Sequence, residues 1–228
     1  MRLADASQLR QFLMHITRAV ERPVFVKVGA NDGVTGDPCG DLFLTHTNWT
    51  GLLIEPVPYL VEKLQRIYGD RSRFTIDPVA VGSAPGIAQF YYVSEEAKRL
   101  HPDLPDWYDQ LGSFQRQHII NHVRSLEPFI RVMDVTVEPL QNILLRHCLT
   151  HIDFLHIDTE GHDLQVLQSV NLSTLAPLAV WVEHKHLSPA DRSAMQALLE
   201  SQGYDVGQAQ DDFFAVHREA QQRLHRNG

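Results

Sequence analysis

Four polar clusters, each at the carboxyl end of an apolar run, hold the residue types in this chain that could do chemistry. Gly29-Ala30-Asn31-Asp32-Gly33 follows Val24-Phe25-Val26-Lys27-Val28, and Glu55 closes Gly51-Leu52-Leu53-Ile54. Asp158-Thr159-Glu160-Gly161 follows Ile152 to Ile157, and Glu183-His184-Lys185-His186 follows Leu178 to Val182. Glycine lacks Cβ, so Gly29 and Gly33 let the backbone take positive φ or approach a ligand closely, with the short polar groups of Asn31 and Asp32 between them. An acid ending the second strand, about twenty residues after such a turn, is placed to accept the ribose hydroxyls of a nucleotide, which is the role expected of Glu55. No third glycine completes the GxGxxG cradle of a diphosphate. An adenosine-containing cofactor without a diphosphate therefore fits better than NAD, and an NAD-dependent oxidoreductase is disfavoured.

Bringing these clusters together requires a sheet. Leu9, Phe12, Leu13, Ile16 and Val20 recur at helical spacing and predict a helix over 7–20, with Ser7 as N-cap and Pro23 ending it before the first strand. A loop at 35–40, a short helix at 41–46 and strand two at 51–55 follow, then a helix with Tyr59, Leu60, Leu64 and Ile67 on one side. Phe74 to Asp77 predicts strand three, Val79 to Gly82 continues its apolar run, and 87–92 reads as an additional strand. Residues 94–131 break this rhythm with Pro102, Pro105 and Pro128. A helix is expected there from Ser113 to Ser125, with Phe114, Ile119 and Val123 as its apolar side and His118 and His122 along it. An insertion of this kind commonly covers a site as a lid. The alternation then resumes: strand 134–137, helix 140–147, strand four at 152–157, a helix carrying Leu164, Leu167 and Val170, strand five at 178–182, helix 189–201, strand 213–216 and a polar helix over 218–226. Such alternation implies an α/β fold with a mainly parallel, doubly wound sheet, and 228 residues suffice for one such domain spanning 1–228.

Composition narrows the function classes. With 28 acidic against 20 basic residues the net charge is −8, and no basic patch offers a grip on nucleic acid or anionic membrane. No apolar stretch is long enough for a signal peptide or a membrane span, so a cytoplasmic protein is expected. The two cysteines, Cys39 and Cys148, have no CxxC spacing, which leaves a zinc ribbon or a disulfide framework without support.

Three segments, Val26 to Gly33, Gly51 to Pro56 and Ile152 to Val166, together resemble the FkbM family of S-adenosylmethionine-dependent methyltransferases. The most specific part is Ile157-Asp158-Thr159-Glu160-Gly161 followed by Asp163-Leu164-Gln165-Val166-Leu167, and Val79-Ala80-Val81-Gly82 and Trp181-Val182-Glu183 extend the likeness over roughly residues 24–217. The resemblance implies a Rossmann-like class I methyltransferase fold, with a seven-stranded sheet whose last strand is antiparallel. It also implies methyl transfer from S-adenosylmethionine, usually to an oxygen of a sugar or secondary metabolite. By resemblance Gly29, Ala30, Asn31, Asp32 and Gly33 lie against the methionine part and Glu55 holds the ribose. Asp77, Val79 and Ala80 border the adenine, and Asp158 stands near the transferred methyl. The divergent middle leaves the acceptor, a small molecule or a glycan, to be read from elsewhere.

Methyl transfer from a sulfonium is an in-line displacement, so the protein has to hold donor and acceptor at attack distance and take a proton from a weakly acidic hydroxyl. Asp158 and the cluster Glu183, His184 and His186 end consecutive strands and are expected to face one another, with His184 as general base because imidazole titrates near working pH. Ser113, Phe114 and His118 are expected on the acceptor side. A divalent cation, if one is used, would sit on Asp158, Glu183 and His184. No compact ligand motif supports it, so no metal is expected, and the 13 histidines, mostly single, read as solvated surface. For Asp158 and Glu160, their place before the following helix also makes capping of that helix a credible role, compatible with catalysis. Outside enzymes, the same fold could serve as a non-catalytic cofactor-binding or scaffold module.

Overall fold

The computed structural model describes residues 5–69 and 72–226. Helix α1 (Ala6–Ala19) packs Leu9, Leu13 and Ile16 inward and is capped by Asp5, whose side chain accepts from the Gln8 N–H at 3.0 Å, rather than by Ser7. Strand β1 (Val24–Val28) follows, then α2 (Gly40–Thr45), β2 (Thr50–Ile54), α3 (Pro58–Tyr68) and β3 (Phe74–Asp77). Next come β4 (Ala80–Val81), β5 (Gly86–Val93), α4 (Glu96–Leu100), α5 (Arg116–His122), a 3₁₀ turn (Arg124–Phe129) and β6 (Ile130–Glu138). The chain continues through α6 (Leu140–Arg146), β7 (Phe154–Ile157), α7 (Asp163–Gln168), α8 (Leu172–Leu175), β8 (Ala179–Glu183) and α9 (Pro189–Ser201). It closes with β9 (Tyr204–Ala209), β10 (Asp212–His217) and α10 (Ala220–Arg226).

The main sheet has seven strands in the order β3-β2-β1-β7-β8-β10-β9, with β10 antiparallel to both of its neighbours. Alternate side chains of each strand serve opposite faces. Val26, Val28, Leu52, Leu155, Ile157, Val180 and Val182 form one core under α6, α7 and α9. Phe25, Leu53, Phe154, Trp181 and Phe214 form the other with α1, α2 and α3. The sheet is therefore doubly wound. The chain lays β2 and β3 to one side of β1 and later returns to lay β7 on the other, so the strand order reverses at β1. A crevice opens at such a switch point, outside the carboxyl ends of the strands. The register sets Val28 beside both Ile54 and Ile157, which brings the turn at Gly29, the end of β2 and the turn at Asp158 to one place.

Three elements differ from expectation. Strands β5 and β6 pair antiparallel and join β4 in a separate three-stranded sheet rather than extending the main one. Strand β9 has no apolar run to announce it, since it is an edge strand with Gly207 inside and Asp205 and Gln208 exposed. The helix expected over Ser113–Ser125 is shortened to α5, because Ser113 exchanges both backbone hydrogen bonds with Tyr91 at 2.8 and 2.9 Å and so extends β5's sheet. Around it Val93, Ala97, Tyr108, Leu111, Ile119 and Leu126 form a small core belonging to the insertion. No helix among the described residues is long and apolar enough to cross a membrane.

Candidate active site

A cleft enclosing about 530 Å³, its open mouth included, lies at the switch point. Gly29 and Asn31, Glu55, Val79 and Ala80, and Asp158 to Glu160 line it, with Asp109, Gln110, Gly112 and Phe114 contributed by the insertion. Gly29 has φ +74°, and a Cβ there would overlap the Asp158 carbonyl, so only glycine lets the two turns touch. Asn31, at φ +52°, turns its N–H onto Glu55 Oε2 at 2.9 Å, and the Val57 N–H donates to Oε1 at 2.9 Å. Two backbone donors thus aim the Glu55 carboxylate while each oxygen keeps a second lone pair. Burial raises this carboxyl to about 7, against the pull of those two N–H groups.

Beyond Glu55 the cleft becomes acidic. Burial, then the neighbouring Glu160 and Asp163, push Asp158 well above the usual carboxylate range. Asp163 closes the turn by accepting from the Thr159 N–H at 2.7 Å, the Thr159 hydroxyl at 3.0 Å and the Gly161 N–H at 3.1 Å. Glu160, held at φ +55°, reaches His118 Nε2 at 2.9 Å and His186 Nε2 at 3.2 Å through one oxygen, Oε2. His122 joins these rings: centroids of His118, His122 and His186 lie 4.4 to 4.8 Å apart. Glu183 lies beside them, with Oε1 at 3.5 Å from His186 Nε2.

A model of the methyltransferase FkbM domain matches residues 27–206 of this sequence. The chain belongs to the FkbM methyltransferase family. Among solved structures it is similar to the FkbM methyltransferase of Methylobacillus flagellatus KT, with a TM-score of 0.56 and 17% identity over 86% of this chain and 44% of that one. The chain thus spans less than half the length of that relative, and the likeness bears on the fold, which is class I and Rossmann-like. The METTL16 MTase domain (TM-score 0.47, 9% identity, 92% of this chain and 65% of that one) is a more remote likeness. So is the fibrillarin pre-rRNA processing protein of Methanococcus jannaschii (0.42, 9%, 87% and 66%). A comparison with curated proteins finds no match.

Within this FkbM domain the residues expected at the site divide. Gly29, Asn31, Glu55, Val79, Ala80, Phe114 and Asp158 line the cleft. Ala30, Asp32 and Gly33 do not: Ala30 is buried in the core, and Asp32 caps its own turn through the N–H groups of Val34 and Thr35 and the Thr35 hydroxyl. Gly33 is a packing glycine, since a Cβ there would press on Tyr68 and Leu64, while Tyr68 donates to its carbonyl at 2.7 Å. Asp77 points away from the cleft into Arg146 and His147, at 2.6 and 2.7 Å. Ser113 is buried with its hydroxyl turned to the Gln115 N–H. His184 is the largest correction. One residue past the strand end, its ring is buried against Phe213, with centroids 4.4 Å apart, and it does not line the cleft. The grouping Asp158, Glu183 and His184 is therefore not the one that converges; His186, two residues on, turns to Glu160 instead.

Sequence reading passed over Lys27. It sits in β1 among apolar neighbours, 5% exposed, and its ammonium meets Asp37 Oδ2 at 2.6 Å. Burial alone would raise Asp37, but Lys27 holds it below the usual range. The pair lines a polar recess with Gly29, Asp158 and Glu160. The signal was one charge in a strand with no exposed face. Asp109 and Gln110 were missed for lack of any motif, and they are placed by Lys63, at 2.8 Å from Asp109, and by the Thr35 carbonyl, at 2.5 Å from Gln110 Nε2.

Proposed function

We propose that this chain binds S-adenosylmethionine in the switch-point cleft and transfers its methyl group to a hydroxyl oxygen of a small molecule or glycan, the acceptor class including sugars and secondary metabolites. The observation that carries this reading is Glu55, a buried carboxylate aimed by two backbone N–H groups into a cleft floored by a glycine turn. Such a carboxylate suits the paired hydroxyls of a ribose. The apolar wall of Val79, Ala80 and Leu60 suits an adenine face, and the glycine floor at Gly29 admits the methionine part where a Cβ would block it. The bound sulfonium supplies an electrophilic methyl group.

The chain's own contribution is positioning and desolvation. Phe114, edge-on to Phe90 at 5.2 Å, closes the cleft from the insertion and keeps water from the reacting centre. Beyond positioning, Asp158, between the Gly29 turn and Glu160, is set in its ionised form to accept the acceptor hydroxyl's hydrogen bond and take its proton as the methyl group is transferred, burial and the neighbouring acids making it a stronger base than an ordinary carboxylate. Isothermal titration with S-adenosylhomocysteine and, separately, NAD tests the reading. Saturable binding of the first and none of the second is expected, and the reverse preference would overturn it.

A further inference from the structure

We propose that His118, His122, Glu160 and His186 form a binding site for one divalent transition-metal ion of the zinc class. The four side chains come from three separate parts of the chain: α5 of the insertion, the turn after β7, and the segment after β8. Their ligand atoms all lie within 4.8 Å of one another. Zinc bonds of about 2.0–2.1 Å place tetrahedral ligand atoms about 3.4 Å apart, so the observed 2.9 and 3.2 Å edges at Glu160 need only small side-chain rotations to admit an ion.

Several features fit ligation better than solvation. His118 and His122 stand four residues apart, which puts both rings on one face of α5. The His122 Nδ1 contacts the His118 carbonyl at 3.0 Å, the outer hydrogen bond that fixes a ligating imidazole and presents Nε2 to the ion. His118, Glu160 and His186 are each only 13–14% exposed, so this is not the solvated surface their spread along the sequence suggests. Glu183 is an independent sign: it is 8% exposed, its Oε2 has no partner among the described residues, and its Oε1 faces His186. Glu183 is not itself among the four ligands, and a cation held by them would set a positive charge beside this buried acid, which touches the cluster through His186. Three nitrogens and one oxygen exclude magnesium and calcium, which take oxygen ligands, and select an ion that accepts imidazole. The ion would pin the insertion to the carboxyl edge of the sheet, with Glu160 shared between it and the cleft wall.

The inference does not rest on the methyl-transfer reading, because metal binding and S-adenosylhomocysteine binding are measured separately. The protein is stripped with chelator, dialysed and titrated with zinc by calorimetry, and the four-coordinate ligand field is read from the visible bands of the cobalt form. One ion per chain is expected, with a raised unfolding temperature. His186→Ala and Glu160→Gln should each weaken zinc by more than about 100-fold, beyond the range typical of outer partners. Cys148→Ser, which removes the exposed thiol as an alternative zinc ligand, should change nothing. Glu160→Gln keeps the side-chain volume, so it reports on ligation even if His186→Ala folds poorly. Failure of the wild-type chain to bind zinc stoichiometrically, or undiminished binding by Glu160→Gln, would overturn the proposal.

Discussion

Replacing Glu55 with glutamine separates a ribose-binding carboxylate from a merely buried acid. Its carboxyl is raised from 4.5 to about 7, so in the unliganded protein it is half protonated at neutral pH. Because the folded state binds this proton more tightly than the unfolded one, its contribution to stability is full below pH 4.5 and is lost as pH rises through 7. At about 1.36 kcal/mol per unit the loss is on the order of 3 kcal/mol. Ribose hydroxyls donate to the ionised form, so ligand binding has to displace the proton at acid pH. The affinity for S-adenosylhomocysteine should therefore fall about tenfold per unit below pH 7 and level off above it. Glu55→Gln removes the charge but retains an acceptor oxygen. At pH 8 it should lose about 1.5–3 kcal/mol of binding, the range for a hydrogen bond to a charged group, or about 13- to 150-fold in Kd. One of the two N–H donors, of Asn31 or Val57, then faces the amide NH₂, and the 1–3 kcal/mol cost of leaving it unpaired offsets the relief of removing a buried charge. Stability at pH 8 should thus move little while affinity drops and its pH dependence disappears. Titration calorimetry at pH 5.5, 6.5, 7.5 and 8.5, with thermal unfolding alongside, reads all three. A wild-type affinity flat with pH, or a glutamine variant binding within twofold, would refute the ribose assignment.

Gly29→Ala should lower stability by more than about 2 kcal/mol, seen as a drop in unfolding temperature, because the new Cβ meets the Asp158 carbonyl at a positive φ. Asp158→Asn should leave S-adenosylhomocysteine affinity within a few-fold. Transfer of a labelled methyl group into acceptor-containing extract should fall by about 10²- to 10⁴-fold, and unchanged transfer would remove Asp158 from the acceptor side. Asp37→Ala strands the Lys27 ammonium in the interior and should cost about 3–5 kcal/mol by denaturant titration, whereas the double change Lys27→Met with Asp37→Leu should recover most of it.

The main sheet was legible because its strands are buried on both faces and read as short apolar runs with polar ends. Phe154, Leu155 and Ile157 or Ala179 to Val182 need no partner to be recognised. The second sheet was not, because Ile87 and Val132 are exposed and the pairing of β5 with β6 spans an insertion whose length gives no register. Strand β9 was lost for the opposite reason: an edge strand is paired through its backbone, and its polar side chains carry no trace of that pairing.

Site residues divide along the same physical line. Positions whose role is set by the backbone, Gly29 against Asp158 and Glu55 under two N–H groups, could be placed from their offsets to the strand ends, because the strand ends fix them. Residues one to three steps past those ends could not, since backbone rotations beyond β8 decide which of His184 and His186 turns toward the cleft. The structure turns His184 under Phe213 and His186 toward Glu160. The same holds for the insertion, where the i and i+4 spacing of His118 and His122 was present in the sequence but had no visible counterpart. Its partners lie 42 residues on from His118, at Glu160, and beyond it at His186, and only the return of the chain to β7 and β8 makes the four one cluster. Histidines that look solitary along a chain are thus poorly judged one at a time: on a doubly wound sheet the carboxyl ends of the parallel strands open on one edge, and here that edge is where the insertion meets them.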